Sequence, residues 1–327
     1  MAEERLGKLA RATKKRPLFR YQKIMMDVVV AALPAIGASV YFFGWRALAM
    51  VGFCSALGAF TEWIFTRSRG EPISWAVFVT AVLFALTLPP NLPFWIAAVG
   101  IVFAVMFGKE FFGGFGRNVF NPALVGRCFI YISFPVEMTN KFMRPFGSFP
   151  GGLVHWATRQ IDSVGQATPM FLWRFKSEAT PISDLFLGGV AGSLGETAKF
   201  LIILGGVYLL VRKTASWRII VSTLLGGAAF SAILHYAGVK VVSAPEMSLL
   251  AGGFLFGAFF MATDPISAPR LKPTMWVYGF GIGALTIAIR AWSNFSGGMM
   301  FAILLMNVFN PILDVAFKKR VEEKKQV

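Results

Sequence analysis

Asn118-Val-Phe-Asn-Pro-Ala-Leu124 returns as Asn307-Val-Phe-Asn-Pro-Ile-Leu313, once near the middle of the chain and once near its end. In each copy an apolar segment lies upstream, then a Gly pair (Gly113-Gly114, Gly297-Gly298), then an Asn/Pro-interrupted apolar segment. A match longer than five letters in shared surroundings reads as duplication rather than coincidence. Internal symmetry of this kind is a mark of membrane transport folds.

Hydrophobic residues make up 56% of the 327-residue chain, and mean hydropathy is +0.64. Apolar runs of bilayer-spanning length follow one another along nearly the whole sequence, too long for barrel strands, so the fold class is an all-α polytopic membrane protein. About ten spans are expected, at 24–43, 46–66, 73–88, 94–111, 119–134, 196–211, 217–236, 247–264, 274–292 and 297–317. Ten spans put both termini on one side. Roughly 22 of the 32 Lys and Arg fall on that side and about eight on the other, which makes it cytoplasmic by the positive-inside rule. The net charge of +16 therefore belongs to the membrane edges, chiefly the head Arg11 to Lys23 and the tail Lys318 to Lys325, and no nucleic-acid partner is implied. No cleavage site follows the basic head, so the first span is expected to remain as an anchor. Trp45, Trp75 and Trp276 read as anchors at the lipid interface.

The third and eighth spans are short and end in Pro, at Leu86-Thr-Leu-Pro-Pro90 and Met261-Ala-Thr-Asp-Pro265. They hold the same place in two sets of five. The expected organisation is a basic head (1–23), a five-helix repeat (24–134), an extracytoplasmic loop (135–195), a second five-helix repeat (196–317) and a tail (318–327). Because five is odd, the second repeat enters the membrane from the opposite side, giving inverted repeats whose third helices are broken beside protein or a water-filled cavity. The loop carries Phe, Trp and Met throughout and is expected to fold against the bundle.

Acidic residues within spans are costly, so Asp27, Glu62 and Asp264 each need a partner, a cavity or a neutral state. Asp264, with Thr263, Asn121 and Asn307, could supply oxygen ligands for Na⁺ or relay a proton. Equally, Asp264 could cap a helix while the two Asn satisfy each other. Arg127 within the fifth span could neutralise a carboxylate or hold a phosphate. Ser193 and Glu196 have capping-box spacing at the start of the sixth span, and the same segment, through Thr197, could receive a phosphate or the electron-rich edge of a ring. Cys54 and Cys128 lack partners at metal-ligand spacing, and His155 and His235 suggest neither metal nor triad. Gly113-Gly-Phe-Gly116 follows a span, not a strand, so it is no dinucleotide fingerprint. In the loop, Asp162-Ser-Val-Gly-Gln-Ala-Thr-Pro169 reads as a turn that leaves the Thr168 hydroxyl accessible.

Five segments in order carry a resemblance over nearly the whole chain: Gly113 to Leu124, Ile132-Ser-Phe-Pro-Val-Glu-Met-Thr139, Leu187 to Thr197, Phe260-Met-Ala-Thr-Asp-Pro-Ile-Ser-Ala268 and Phe301 to Asn307. The chain resembles the family comprising the D subunit of the Rnf complex and the B subunit of sodium-translocating NADH:quinone reductase. That resemblance implies FMN attached through its phosphate to Thr168, at the end of a motif running from Asp162 through Gly165 and Ala167. The Asp, Ala and Thr match the family motif, whereas Gly165-Gln166 stand where it usually has Ser-Gly. It implies a bacterial cytoplasmic membrane location, redox partner subunits bearing flavin and iron–sulfur centres, a flavin transferase for maturation, and movement of Na⁺ or H⁺. The quinone-reductase branch further implies riboflavin, a second flavin held without a bond. The Rnf D branch is favoured, with the quinone-reductase B subunit as the alternative. A stand-alone inverted-repeat transporter or channel is the rival from another class.

Overall fold

The computed structural model describes residues 17–156, 167–293, 295 and 297–326. The first repeat is built from α1 (Lys23–Phe43), α2 (Trp45–Arg69), α3 (Ala76–Leu86), α4 (Phe94–Gly108) and α5 (Pro122–Ser133). Three short helices follow: α6 (Pro135–Asn140), α7 (Pro169–Lys176) and α8 (Ile182–Leu187). The second repeat comprises α9 (Lys199–Val211), α10 (Trp217–Tyr236), the fragments α11 (Pro245–Leu250) and α12 (Phe254–Phe256), α13 (Lys272–Trp292) and α14 (Met299–Gln326). Helix α12 runs into a π-helical turn at Gly257–Met261, a distortion often found at functional sites. Two-residue strands β1 (Phe19–Arg20) and β2 (Ile73–Ser74) pair in parallel and tie the head to the α2–α3 connection.

Six helices among the described residues are long and apolar enough to cross a bilayer, and α3, α5 and α9 are shorter apolar helices. Each of the ten expected spans contains helix, the eighth (247–264) only as α11, α12 and the π turn with a break at 251–253, and the protein is a polytopic all-α membrane protein. The expected end of the last span at 317 falls short, because α14 continues to Gln326.

Packing repeats from one half to the other. The second helix meets the fourth (α2 with α4, α10 with α13), the fourth meets the fifth (α4 with α5, α13 with α14), and the broken third meets the first and fifth in both. The two first helices touch each other, as do the two fifth helices. The α10–α13 crossing is the most intimate. A Cβ at Gly283 would lie 2.2 Å from the Thr223 carbonyl oxygen and one at Gly279 2.0 Å from Ser222 Oγ, so Gly279-x-x-x-Gly283 allows backbone approach where a side chain would separate the helices.

Helix α3 stops because Pro89 and Pro90 cannot continue its hydrogen bonds. The freed carbonyls are met by protein: Gly195 N donates to Leu86 O (2.7 Å) and Leu194 N to Leu88 O (3.0 Å), while Arg46 reaches Pro90 O (3.2 Å) and Leu92 O (2.5 Å). In the second repeat Arg290 donates to Ser248 O (2.6 Å) and Ala251 O (3.1 Å), and Lys199 Nζ to Gly252 O (2.8 Å). At each break, side chains or loop N–H groups thus take up freed carbonyls, as backbone broken at membrane depth requires.

The described parts of the loop, 135–156 and 167–195, pack on the bundle. His155 and Trp156 carbonyls accept from the first N–H groups of α2, Trp45 N (3.1 Å) and Arg46 N (2.7 Å), and Trp45 Nε1 donates to Leu153 O. Arg174 of α7 donates to Arg290 O and Ser293 O at the end of α13.

Candidate functional site

The intramembrane acids found partners that the apolar pattern did not name. Asp27 accepts from Arg212 and Thr214. Glu62 binds Lys109 at 2.5 Å, and its other oxygen accepts from Ser74 N and Oγ. Asp264 accepts from Ser267 N (3.2 Å) and Oγ (2.7 Å), closing the turn after the π segment.

Asn121, Thr263 and Asp264 line one small cavity of about 30 Å³, together with Asn118, Lys109 and Phe260. That is room for about two water molecules. Asn307 is adjacent: its Oδ1 accepts from Asn121 N (3.3 Å), and its amide donates to Ser267 O and Tyr278 Oη. Asn121 serves α5 as N-cap, its Oδ1 accepting from Ala123 N and Leu124 N, with Pro122 at the first helical position. The two copies of the repeated motif differ here. Asn121-Pro122 begins a helix, whereas Asn310-Pro311 lies inside the continuous α14.

A second cavity, of about 940 Å³, opens between the third helices, α5, α7 and the 190–197 segment. Thr168 and Ala167 stand in its wall, and Thr168 is the N-cap of α7, its Oγ1 accepting from Phe171 N at 3.4 Å. Asp162 and Gly165 lie outside the described residues. The aromatic and apolar lining includes Phe142, Phe171, Phe175, Phe256 and Met261, and the polar lining Arg127, Lys141, Arg174, Glu196, Thr197, Lys199 and Arg290. Asn121 Nδ2 donates to Met261 O, so the two cavities end on neighbouring residues of one layer.

Ser193 and Glu196 do bond each other, but not as a cap of the sixth span. Ser193 N and Oγ both donate to Glu196 Oε1 (2.9 and 2.8 Å), and the N-cap of α9 is Ala198. The reason is the neighbouring break, where Leu194 and Gly195 spend their N–H groups on the end of α3. Glu196 is pressed against Gly253, where a Cβ would lie 2.5 Å from its Oε2. Thr197 Oγ1 is buried without a partner among the described residues.

The basic side of the large cavity went unread in sequence, apart from Arg127. Lys199 and Arg290 fall inside predicted spans, and a census of intramembrane cations like that made for the acids would have flagged both.

The profile of the NQR2, RnfD, RnfE family matches residues 13–323. The chain is 36% identical over 305 residues to the D subunit of the Na(+)-translocating ferredoxin:NAD(+) oxidoreductase complex of Acetobacterium woodii, covering 91% of this chain and 89% of that one. It is 39% identical over 264 residues to the B subunit of the Na(+)-translocating NADH-quinone reductase of Pseudoalteromonas atlantica, covering 79% of this chain and 63% of that protein. The corresponding B subunit of Yersinia pestis is 37% identical over 285 residues. The chain thus spans under two thirds of the length of the first of these B subunits.

Proposed function

The chain belongs to the NQR2, RnfD, RnfE family, and from that premise we propose that it is the electron-carrying membrane subunit of an Rnf-type ion-translocating oxidoreductase complex, with FMN esterified through its phosphate to Thr168. Near-complete coverage of the Acetobacterium woodii D subunit favours this branch over the B subunit. The observation that carries the flavin reading is the position of Thr168, in the wall of a cavity of about 940 Å³ whose aromatic and cationic lining suits a flavin.

The residues present fit that group. A phosphoester on Thr168 Oγ1 would lie at the start of α7, where the helix dipole favours negative charge. Pro169 at the first helical position holds the Thr168 backbone extended, so that its hydroxyl caps the helix from outside it. Phe142, Phe171 and Phe175 present apolar surface for a ring system, and the orphaned Thr197 Oγ1 offers it a hydrogen bond. FMN supplies one- and two-electron chemistry, and the protein supplies tether, orientation and electrostatics.

In this reading the head and tail are cytoplasmic, segment 135–195 is extracytoplasmic, and the membrane is a bacterial cytoplasmic membrane. Other subunits, bearing flavin or iron–sulfur centres, exchange electrons with the FMN, and a flavin transferase installs it. The ion moved is Na⁺, the ion in the names of both kinds of relative, and the small cavity at Asn121, Thr263 and Asp264 belongs to its route. A riboflavin held without a bond remains the expectation from the quinone-reductase branch.

Coexpression of the full chain with a flavin transferase tests the covalent bond. A fluorescent band on a denaturing gel under ultraviolet light, lost in Thr168→Val, is the expected result. A dark wild-type band, or a fluorescent Thr168→Val band, overturns the assignment and returns weight to a transporter without flavin.

A further inference from the structure

We propose that Arg127 and Arg290 set the redox potential of the flavin in the large cavity, by facing the edge of the ring that gains negative charge on reduction. This rests on the FMN reading above.

The charge balance of the cavity motivates it. Five cationic side chains line it and one carboxylate, Glu196. That carboxylate accepts from Ser193 N and Oγ. The Lys199 amine is directed to the carbonyls of Glu196 and Gly252. Arg290 is 5% exposed and gives Nη1 and Nη2 to Ser248 O and Ala251 O, leaving Nε without a partner among the described residues. Arg127 makes no hydrogen bond or ion-pair contact with a described residue, and Glu196 acts on it only from farther away.

The duplication supplies an internal comparison. Lys109 closes α4 and Arg290 lies in the last turn of α13, the fourth helix of each repeat. Each pins the entry of its broken third helix, Lys109 through Ser74 and Arg290 through Ser248. Lys109 has a carboxylate partner in the second helix of its repeat, Glu62 at 2.5 Å. Arg290 donates to carbonyls and lies 5.8 Å from the centre of the Phe254 ring, with no carboxylate of a described residue in ion-pair contact and Glu196 acting on it only from farther away. One carboxylate, Glu196, thus faces Arg127, Lys199 and Arg290 together, and buried cations in excess of their counter-charge are destabilising, so those kept beside a cavity are expected to meet an anion there.

Two-electron reduction of a flavin with one proton taken up at N5 leaves one negative charge shared by N1 and the C2 carbonyl oxygen. Guanidinium groups at that edge favour the reduced form over the neutral oxidised one. A redox centre of a partner subunit supplies the electrons in the complex, and dithionite supplies them in the test.

Full-length protein carrying FMN, purified in detergent, is titrated with dithionite against indicator dyes and followed by its visible spectrum. The fluorescent gel band first establishes attachment in every variant, so failure of the FMN reading is seen separately, as a dark wild-type band. Arg127→Gln should lower the equilibrium constant for two-electron reduction at least tenfold, about 30 mV. Arg127→Lys should recover most of the loss, and Arg290→Gln should shift in the same direction. Glu196→Gln should shift the opposite way. Should Arg290→Gln fail to fold, Arg127→Gln decides, since it breaks no hydrogen bond to a described residue. An attached flavin whose potential does not move in Arg127→Gln overturns the proposal.

Discussion

Replacing Lys109 with Met, Glu62 with Gln, and then both, probes how the first broken helix is held. The Lys109 Nζ to Glu62 Oε2 distance is 2.5 Å, and each side chain is 2% exposed. At that separation and an effective dielectric constant of about 20, the Coulomb attraction is roughly 7 kcal/mol. Stripping water from the two ions costs several kcal/mol each, so the pair as a whole contributes little net stability. Removing one partner is different, because the survivor keeps its desolvation cost and loses its attraction: about 3–5 kcal/mol for either single change. In the double variant the amide oxygen introduced at position 62 still accepts from Ser74 N and Oγ, as the Glu62 oxygen does at 2.8 Å to both. Its cost should be about 1–2 kcal/mol, not the sum of the singles. Unfolding in mixed micelles by titration with dodecyl sulfate, read by Trp fluorescence, measures all four proteins. Additive losses in the double variant would refute the argument that the pair acts through mutual neutralisation.

Three further outcomes follow from particular contacts. Gly283→Leu should separate α10 from α13 and cost at least about 1–3 kcal/mol by overpacking, since the added Cβ meets backbone, 2.2 Å from Thr223 O and 2.4 Å from Gly227 N; unchanged unfolding would contradict a close helix crossing. Asn307→Leu removes hydrogen bonds to Tyr278 Oη, Ser267 O and Asn121 N, leaving buried polar groups unpaired at about 1–3 kcal/mol each; the same unfolding assay checks it, and a neutral change would show that the link between the two fifth helices bears no stability. Asp264→Asn should uncouple ²²Na⁺ uptake from electron transfer in vesicles bearing the whole complex, and full coupling would remove Asp264 from the ion route.

Much of the fold was readable in the order of letters. Hydropathy marked ten apolar segments, and helix forms in every one, though the eighth is split into fragments, because a chain in lipid must satisfy its backbone within each segment. Pro89 and Pro90 marked the end of the first broken helix for a local reason, the missing N–H, whereas the interruption between α11 and α12 at 251–253 carries no proline and was not readable. The partners of the buried charges were not readable. Glu62 and Lys109 are 47 residues apart, Asp27 and Arg212 are 185 apart, and nothing in local spacing couples positions that meet only after helices pack. For the same reason Ser193 and Glu196 suggested a cap for the sixth helix. The structure turns their segment toward the end of α3, which offered it unpaired carbonyls.

The repeated Asn-Val-Phe-Asn-Pro motif separates the two kinds of information. By itself the sequence determined that the chain is membrane-spanning and helical and carries one motif twice, since composition and period act through solvent and neighbouring residues alone. Only the tertiary structure decided what each copy does. Asn121 stops one backbone and starts another beside a cavity, whereas Asn310 and Pro311 pass through the middle of α14, with Asn310 Nδ2 bonded to Ser267 O at 2.9 Å. The letters are the same and the surroundings are not. A proline lacks one hydrogen bond in either place, and whether that gap begins a helix or is bridged within one depends on which carbonyls the packed neighbours bring to it.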